Sequence, residues 1–208
     1  MPVSIGKLRS AFSWPMTWLT AEFAAIDFES AGSQPDGTDP PIQIGIACMK
    51  GGQLLPETFF RSYLQNTSRE LHCVATTIHG IRPDQLTNAP PLLSLWPEVR
   101  NRLTNRYVVA HGAGTERRHL RVFPFHGFGP WIDTLQLARK LQPSLNDYSL
   151  GSLIAAFRLE EEIDQFCKNL HWHDALYDAV ACLVLLQTLI KTSPHFLDNC
   201  QLASLGLG

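Results

Sequence analysis

The sequence predicts an α/β domain in which helices pack on a mixed sheet. Strand-like segments come first along the chain and then alternate with helical ones, the order typical of layered α/β domains. The last long segment, residues 174–190, is apolar almost all round, as in a buried helix. With 208 residues, 45% of them hydrophobic and 17% charged, the chain can bury the core of one domain.

The first half of the chain contains the clearest strand patterns. Residues 23–29 (FAAIDFE) predict a first strand, followed by a loop over residues 30–41 that is rich in glycine, proline and aspartate. Residues 42–48 and 53–63 predict two further strands, joined by a tight turn at Lys50-Gly51-Gly52. Residues 107–111 (YVVAH) predict another short strand.

Helical patterns dominate the second half. Residues 91–103 look helical, although Pro97 leaves the first part of that segment open, and residues 116–122 predict one or two helical turns. Asp133 is placed to cap a helix that Pro143 ends, and Ser149 to begin the next. That next helix has its apolar residues on one side, at Leu150, Leu153, Ile154 and Phe157.

Composition excludes several classes of protein. The net charge of −2 is too low for a chain that coats nucleic acid, so any such contact should be local. The five scattered cysteines argue against a disulfide framework or a thiolate zinc site and favour a cytoplasmic location. No apolar run approaches the roughly 20 residues that would indicate a membrane partner. Residues 1–22 resemble a signal peptide only loosely and are interpreted as an N-terminal extension.

Two carboxylates stand at the end of the first predicted strand. Residues two apart on a strand share a face, so Asp27 and Glu29 should point to the same side of the sheet. Adjacent carboxylates repel each other and resist burial, and a divalent cation between them would remove both penalties. Their oxygen ligands suit Mg²⁺ or Mn²⁺. On this segment alone, a strand end whose acids face water is an equally good interpretation.

A second acidic motif is HDALYDA, residues 173–179. Asp178 falls inside an otherwise apolar helix and therefore needs a partner. His173 and Asp178 are five residues apart and would not share a helical face. We therefore place Asp174 at the N-cap, His173 on the preceding loop, and Asp178 toward the sheet, where the histidine could take a proton from water. The plainer alternative makes His173 one of eight histidines and Asp174 only a cap.

The third motif is AHGAGTERRHL, residues 110–120. A short strand leads into a glycine-rich turn and then to Glu116, which is either a site carboxylate or an ordinary first-turn acid. By itself this segment favours the interpretation of Glu116 as an ordinary first-turn acid. Several arginines surround it and are either phosphate contacts or part of a solvated face: Arg100, Arg102, Arg106, Arg117, Arg118 and Arg121.

Taken together, in this order and spacing, the three motifs resemble those of the DEDDh (DnaQ-like) superfamily of 3′–5′ exonucleases. That group includes the DNA polymerase III proofreading subunit, RNase T and exonuclease X, and the HDALYD segment is most similar to exonuclease X. The family's Asp-x-Glu matches Asp27 and Glu29, and its His-x-Ala-x-x-Asp-Ala matches residues 173–179 in full. Residues 110–116 align with the second motif, with Glu116 where the family has aspartate.

The resemblance implies a ribonuclease H-like mixed sheet of five strands flanked by helices, within an exonuclease domain over residues 23–192 and before a tail over residues 193–208. It also implies a site of two Mg²⁺ or Mn²⁺ ions. The implied catalytic residues are Asp27, Glu29, Glu116, His173 and Asp178, and the implied metal ligands are the four acids among them. The implied reaction releases nucleoside 5′-monophosphates from nucleic-acid 3′ ends.

Other interpretations stay open at this point. Glu116 could mark an impaired site, which would make the chain a module that binds nucleic-acid ends or a polymerase or clamp without cutting. Residues 201–207 loosely resemble a sliding-clamp peptide, although their spacing is one residue too long. The expected partner is a single-stranded or frayed 3′ end of DNA or RNA, and a homodimer is possible. For Phe28 we favour core packing over base stacking, and for His79 the two interpretations are equal.

Overall fold

The computed structural model describes residues 20–67, 71 and 73–192. In this part of the chain six strands form one mixed sheet in the order β3-β2-β1-β5-β6, and β4 also pairs with β2. β1 runs antiparallel to β2 and parallel to β5, which is parallel to β6. The strands are β1 (Glu22–Ser30), β2 (Pro41–Lys50), β3 (Gln53–Leu54), β4 (Phe60–Tyr63), β5 (Tyr107–Ala110) and β6 (Trp131–Asp133).

Eight α-helices flank this sheet among the described residues. They are α1 (Cys73–His79), α2 (Pro83–Leu86), α3 (Trp96–Leu103), α4 (Gly114–Leu120), α5 (Thr134–Leu141), α6 (Leu150–Phe157), α7 (Glu160–Phe166) and α8 (Ala175–Thr192). The α/β class and the mixed sheet flanked by helices are confirmed. The predicted domain boundaries at 22/23 and 192/193 remain predictions, and residues 193–208, with the clamp-like segment, lie outside the described residues.

The sheet has six strands rather than five because one predicted strand is divided. The segment 53–63 is interrupted by a short 3-10 helix, Pro56–Thr58, whose proline cannot donate a ladder hydrogen bond. Its two ends, β3 and β4, pair separately with β2. The turn at Gly51 and Gly52 forms as expected, with both glycines at positive φ.

The capping predictions for the second half are also confirmed. The Asp133 side chain accepts hydrogen bonds from the first amides of α5, and the Ser149 hydroxyl accepts one from the Ser152 amide. Pro97 divides residues 91–103 as its position suggested, since a 3-10 helix (Leu92–Leu95) precedes α3. Neither β6 nor α7 was expected, and both are short.

Alternation along β1 sends its side chains into two cores. Phe23 and Ala25 pack on the side of the sheet that α5 to α8 cover. Ala24, Ile26 and Phe28 pack on the opposite side, against α3 and α4. Asp27 and Glu29 follow Ala25 on the α8 side by the same alternation. The charge of Asp178 in α8 acts on both acids, which agrees with their predicted common facing.

The central helix of the α8 side is α8 itself. It is long and apolar enough to cross a bilayer by length and composition, but 67% of it is buried within the domain, as in many core helices. It packs against β1 and β2, the strands at the centre of the sheet. Its first turn lies beside the ends of these strands, and this is where the acidic residues meet.

Candidate active site

The position of α8 is set by a glycine on β2. Gly45 pairs with Asp27 in the β1–β2 ladder. A Cβ atom at Gly45 would lie 2.1 Å from the backbone carbon of Ala175 and 2.2 Å from the backbone nitrogen of Leu176. Only glycine lets the first turn of α8 come this close to the strand. The contact brings Asp178, one turn further along α8, over the carboxylates of β1.

Polar side chains from β2 and β4 fix the same helix end. Asp174 caps α8 by accepting the Leu176 amide at 3.1 Å, as predicted, and it also forms an ion pair with Arg61 at 2.6 Å. Gln43 donates to Asp174 at 3.3 Å and accepts the Ala175 amide at 2.8 Å. Gln43 is buried, so its amide is committed to these two contacts.

His173 lies in the turn immediately before α8, as predicted. Its backbone has a positive φ of 64°, and its side chain is exposed. One ligand atom each from Glu29, His173 and Asp178 lie within 4.8 Å of one another. The structure therefore brings together a strand acid, a helix acid and the histidine. Asp27 and Glu116 are not part of this three-residue group.

Asp27 lies next to the group and is affected by all the acids around it. Burial, followed by the charges of Asp178, Glu29 and Glu116, raises the pKa of Asp27 well above its ordinary value. Burial and the charges of Asp178 and Asp174 raise the pKa of Glu29 to about 8. Burial also raises the pKa of Asp178 to about 7. These acids are held together against their mutual repulsion.

Glu116 acts on Asp27 through its charge. It lies in α4, is only 5% exposed, and has one carboxylate oxygen, Oε2, without a hydrogen-bond partner. Burial raises its pKa to about 7, and the charge of Asp133 acts in the same direction. An ordinary first-turn acid would face water, so the structure contradicts that simpler interpretation of Glu116.

The turn that carries Glu116 is held by side chains from β6 and α5. The two carboxylate oxygens of Asp133 accept the amides of Gly112 and Ala113 at 3.0 and 3.1 Å. His111 is bonded through both ring nitrogens, to the Thr134 hydroxyl at 2.9 Å and to the Tyr148 carbonyl at 2.8 Å. Burial lowers the pKa of His111, and both its nitrogens are engaged. His111 is therefore a structural residue.

The other aromatic and imidazole candidates have different surroundings. Phe28 makes an edge-to-face contact with His119 in the core, which supports the core interpretation. His79 is buried and accepts the Ile81 amide at 3.0 Å. It lines a cavity of about 280 Å³ that also borders His173, and a structural role and a contact with a base stay equal interpretations of His79.

Most of the arginines around the third motif have local partners. Arg102 pairs with Glu98, Arg106 with Glu22 at 3.1 Å, and Arg118 with Asp39 at 3.4 Å. The guanidinium groups of Arg100 and Arg117 lie over tryptophan rings. These contacts support the solvated-face interpretation over a row of phosphate ligands.

The residues that sequence reasoning missed are those that hold the site: Gln43, Gly45 and Arg61. Each contacts the start of α8 from β2 or β4, more than 100 positions away in the chain. The only local signal was Gly45 itself, since a glycine inside a strand pattern often marks close backbone approach.

The donor set fits divalent cations. Asp178 Oδ1 and Glu116 Oε2 are both buried without a hydrogen-bond partner, which is costly for a carboxylate unless a cation neutralises it. The negative charges of neighbouring acids raise the pKa of Asp27 and Glu29, and a bound cation would relieve this repulsion. Clusters rich in carboxylate oxygens suit Mg²⁺ and Mn²⁺. Asp27, Glu29 and Asp178 could hold one ion and Glu116 could help to hold another.

The chain is similar to known exonuclease domains. The model of the exonuclease family RNase_T matches residues 24–186. DNA polymerase III PolC-type of Thermotoga maritima is 34% identical over 143 residues, which is 66% of this chain but 10% of that protein. The same polymerase of Streptococcus sanguinis is 30% identical over 82% of this chain and 11% of the relative. The chain thus spans about a tenth of the length of these curated relatives.

Solved structures of nucleases share the fold. Exonuclease X, solved with 5′-overhanging duplex DNA, superposes with a TM-score of 0.71 at 26% identity, covering 89% of this chain and 99% of that one. Exonuclease I of E. coli, solved with a dT13 oligonucleotide, superposes with a TM-score of 0.66 at 16% identity. The superposition covers 86% of this chain and 43% of that one, and it shows a shared fold only. The chain belongs to the RNase_T exonuclease family, within the DnaQ-like superfamily.

Proposed function

We propose that this chain removes nucleotides one at a time from the 3′ ends of nucleic acid by a two-metal mechanism, with Mg²⁺ or Mn²⁺, releasing nucleoside 5′-monophosphates. The observation that carries the proposal is the convergence of Glu29, His173 and Asp178 within 4.8 Å. Asp27, whose pKa is raised well above its ordinary value, lies beside them. Family membership and the likeness to exonuclease X support the same reaction class.

Each acid has a position suited to holding cations. Asp27, Glu29 and Asp178 would hold one ion, while Asp27 and Glu116 would support a second. When bound, such ions polarise the phosphodiester and stabilise charge on the attacking and leaving oxygens. The protein contributes rigid placement, since β1 pairs with β2 at both Asp27 and Glu29, and α8 is fixed against β2.

His173 would act as the general base. Burial and the neighbouring His171 lower its pKa, so the imidazole is neutral near pH 7 and can accept a proton. Its exposed side chain lies beside Glu29 and Asp178, where solvent water can reach it. Asp174 and Arg61 hold the adjoining helix start, which fixes the backbone next to His173.

The direct test is product analysis on matched DNA and RNA oligonucleotides labelled at the 5′ end, with Mg²⁺, Mn²⁺ or a chelator. We expect stepwise shortening from the 3′ end, nucleoside 5′-monophosphates as products, and no reaction with the chelator. Asp27→Asn should slow digestion at least about a thousandfold, because the loss of a charged carboxylate that would hold the ions removes several kcal/mol of transition-state stabilisation. His173→Ala should slow it about 10²- to 10⁴-fold with Mg²⁺ binding retained.

Glu57→Gln is the matched control, because Glu57 is an exposed acid in the 3-10 helix outside the cluster. This variant should digest like the unchanged protein. Full activity of Asp27→Asn with an intact fold would overturn the assignment of the acids.

A second function is motivated by the glutamate at position 116, whose carboxylate stands one methylene further from the backbone than the family's aspartate. A site impaired by that change would bind nucleic-acid ends without cutting them. The same experiment separates the two functions: retention of labelled oligonucleotide without any product, in saturating Mg²⁺ or Mn²⁺, would support the binding module and reject the exonuclease.

A further inference from the structure

We infer that Glu29, His173 and Asp178 also form a site for a nitrogen-preferring transition-metal ion, of which Zn²⁺ is the test case, and that its binding arrests the exonuclease. The arrest rests on the proposed function, whereas the metal site itself does not. This site differs from the proposed Mg²⁺ arrangement because the histidine is a ligand in one and a proton acceptor in the other.

The spacing of the three side chains fits such an ion. Their ligand atoms lie within 4.8 Å of one another. Zinc binds histidine nitrogen and carboxylate oxygen at about 2.0–2.2 Å in a tetrahedral arrangement, which places neighbouring ligand atoms about 3.4 Å apart. Each pair of ligand atoms would therefore have to move closer by at most about 1.4 Å for the ion to bind. His173 is exposed and Glu29 partly exposed, so side-chain rotation can supply it.

The burial of Asp178 is an independent indication of a ligand. The residue is only 8% exposed, and its Oδ1 atom has no hydrogen-bond partner. A carboxylate oxygen removed from water without a partner costs free energy that a bound cation would recover. Asp178 contributes one of the three clustered ligand atoms, so its carboxylate faces the same space as His173 and Glu29.

The ligand atoms, two carboxylate oxygens and one imidazole nitrogen, determine which ion binds this group more tightly. Mg²⁺ prefers oxygen ligands in octahedral geometry and keeps several waters, so an imidazole adds little to its binding. Zn²⁺ binds imidazole readily and stands near the top of the affinity order for such sites. His173 should therefore strengthen Zn²⁺ binding while leaving Mg²⁺ binding nearly unchanged.

Inhibition follows from the double use of one side chain. An imidazole nitrogen that coordinates a metal has its lone pair engaged and cannot take a proton from water. Glu29 and Asp178 would be engaged at the same time, which removes two of the proposed Mg²⁺ ligands. Zn²⁺ at micromolar concentration should then stop a reaction that millimolar Mg²⁺ supports.

The chain supplies matched controls for other zinc ligands. His171 is exposed and close in sequence, but it does not belong to the three-residue group and its Nδ1 lies 2.8 Å from the Trp172 carbonyl. Among the described residues Cys73 is the exposed thiol, whereas Cys48, Cys167 and Cys182 are buried. A Cys73→Ser background therefore removes an accessible sulfur ligand without changing the proposed site.

The experiment measures metal binding to the chelator-treated full chain in this background, by Zn²⁺ calorimetry and by Co²⁺ absorption as a zinc substitute. We expect one equivalent of Zn²⁺ and a Co²⁺ spectrum of low-coordinate, nitrogen- and oxygen-bound metal. His173→Ala should weaken Zn²⁺ binding at least about tenfold with Mg²⁺ affinity little changed, since the loss of even a supporting residue costs 10- to 100-fold. His171→Ala should bind Zn²⁺ like the parent.

Equal Zn²⁺ affinity in the parent and in His173→Ala would overturn the inference, as would a Co²⁺ spectrum dominated by thiolate charge transfer. The outcomes also separate this inference from the proposed function. Binding of Zn²⁺ through His173 in a chain that digests no oligonucleotide would support the metal site and reject the exonuclease. Digestion with Mg²⁺ that is insensitive to Zn²⁺ would reject the arrest alone.

Discussion

The two sides of the candidate site are built differently. On the α8 side, Asp178 is held by a helix whose first turn is fixed by Gln43, Arg61 and the close approach at Gly45. On the α4 side, Glu116 lies in a helix of seven residues that has no side-chain N-cap, and the preceding turn depends on Asp133. Asp178 is fixed through the start of its own helix, whereas Glu116 is carried by a helix whose side-chain support lies in the preceding turn.

This difference shows how the fold divides its work. The α8 side joins strand, helix and cap in one network, so a change in any part of it should move Asp178 and His173 together. On the α4 side the contacts of Asp133 and His111 hold the turn before the helix rather than the helix start itself, so a change there should move Glu116 less directly. The α8 side should therefore respond to mutation more strongly than the α4 side.

The largest effect is expected at Gly45. A Cβ atom in Gly45→Ala would overlap the backbone of Ala175, and backbone cannot rotate away as a side chain can. We expect the free energy of unfolding to fall by about 3 kcal/mol, at the upper end for overpacking, and metal-dependent digestion to be lost even at temperatures where the variant stays folded. Urea denaturation and the oligonucleotide assay measure the two effects.

Gly151→Ala is the matched control, since Gly151 lies in α6 and a Cβ atom there would meet nothing within 4 Å. It should be neutral or stabilising by up to about 1 kcal/mol. If Gly45→Ala were as stable and as active as Gly151→Ala, the close seating of α8 on β2 would not be what fixes the α8 side.

The same contrast explains how much of the site the sequence could predict. Asp27, Glu29 and Asp174 were placed correctly because strand alternation and helix capping are local rules. Gln43 and Arg61 could not be found, since they meet Asp174 across 131 and 113 positions and no local pattern records such a contact. The motif that contains His111 was recognised, but its structural role depends on Thr134 and Tyr148, which only the fold brings to it.

The fold shows the same division. The α/β class, β1 and the amphipathic and capped helices followed from periodicity, which needs several residues to be visible. β6 has three residues, and α7 has a single fully buried residue, Ile163, so neither shows a repeat. The division of segment 53–63 depended on Pro56. A proline interrupts a strand only where the neighbouring strand needs the hydrogen bond that proline cannot donate, and only the fold shows where that is.

A smaller effect is expected on the α4 side. Glu116→Gln removes the charge that would help to hold the second ion, and digestion in Mg²⁺ should slow about 10- to 100-fold, less than in Asp27→Asn. Glu116→Asp keeps the charge and shortens the side chain by one methylene, so it should change the rate by less than about tenfold. The two rates, measured at saturating Mg²⁺, show whether charge or reach matters at this position.

Thermal unfolding of both variants provides the control, because a fold that loosens around α4 would slow digestion for an unrelated reason. A Glu116→Gln variant that is folded and as fast as the parent would remove Glu116 from the metal-binding set. Loss of all activity in Glu116→Asp would contradict the idea that this side tolerates different side-chain lengths.

The smallest effect concerns the stability of the metal-free protein. Burial and mutual repulsion raise the pKa of Glu29 to about 8 and those of Asp178 and Glu116 to about 7, above the values near 4 of an unfolded chain. Native protein therefore binds more protons than unfolded protein in this window, and its stability falls as pH rises through 7 to 8. The melting temperature should drop by a few degrees between pH 6.5 and 8.5.

Saturating Mg²⁺ should abolish most of this drop, because a bound cation replaces the protons. Buried histidines do not confuse the comparison: burial lowers the pKa of His119 to about 4, and a group of that kind changes stability only below about pH 6.5. Asp27→Asn should flatten the pH dependence more than Glu116→Gln, since Asp27 interacts with acids on both sides of the site. If both variants flattened the pH dependence of the melting temperature equally, the acids of the α8 and α4 sides would titrate as one cluster. The difference between the two sides would then lie only in how their backbones are supported.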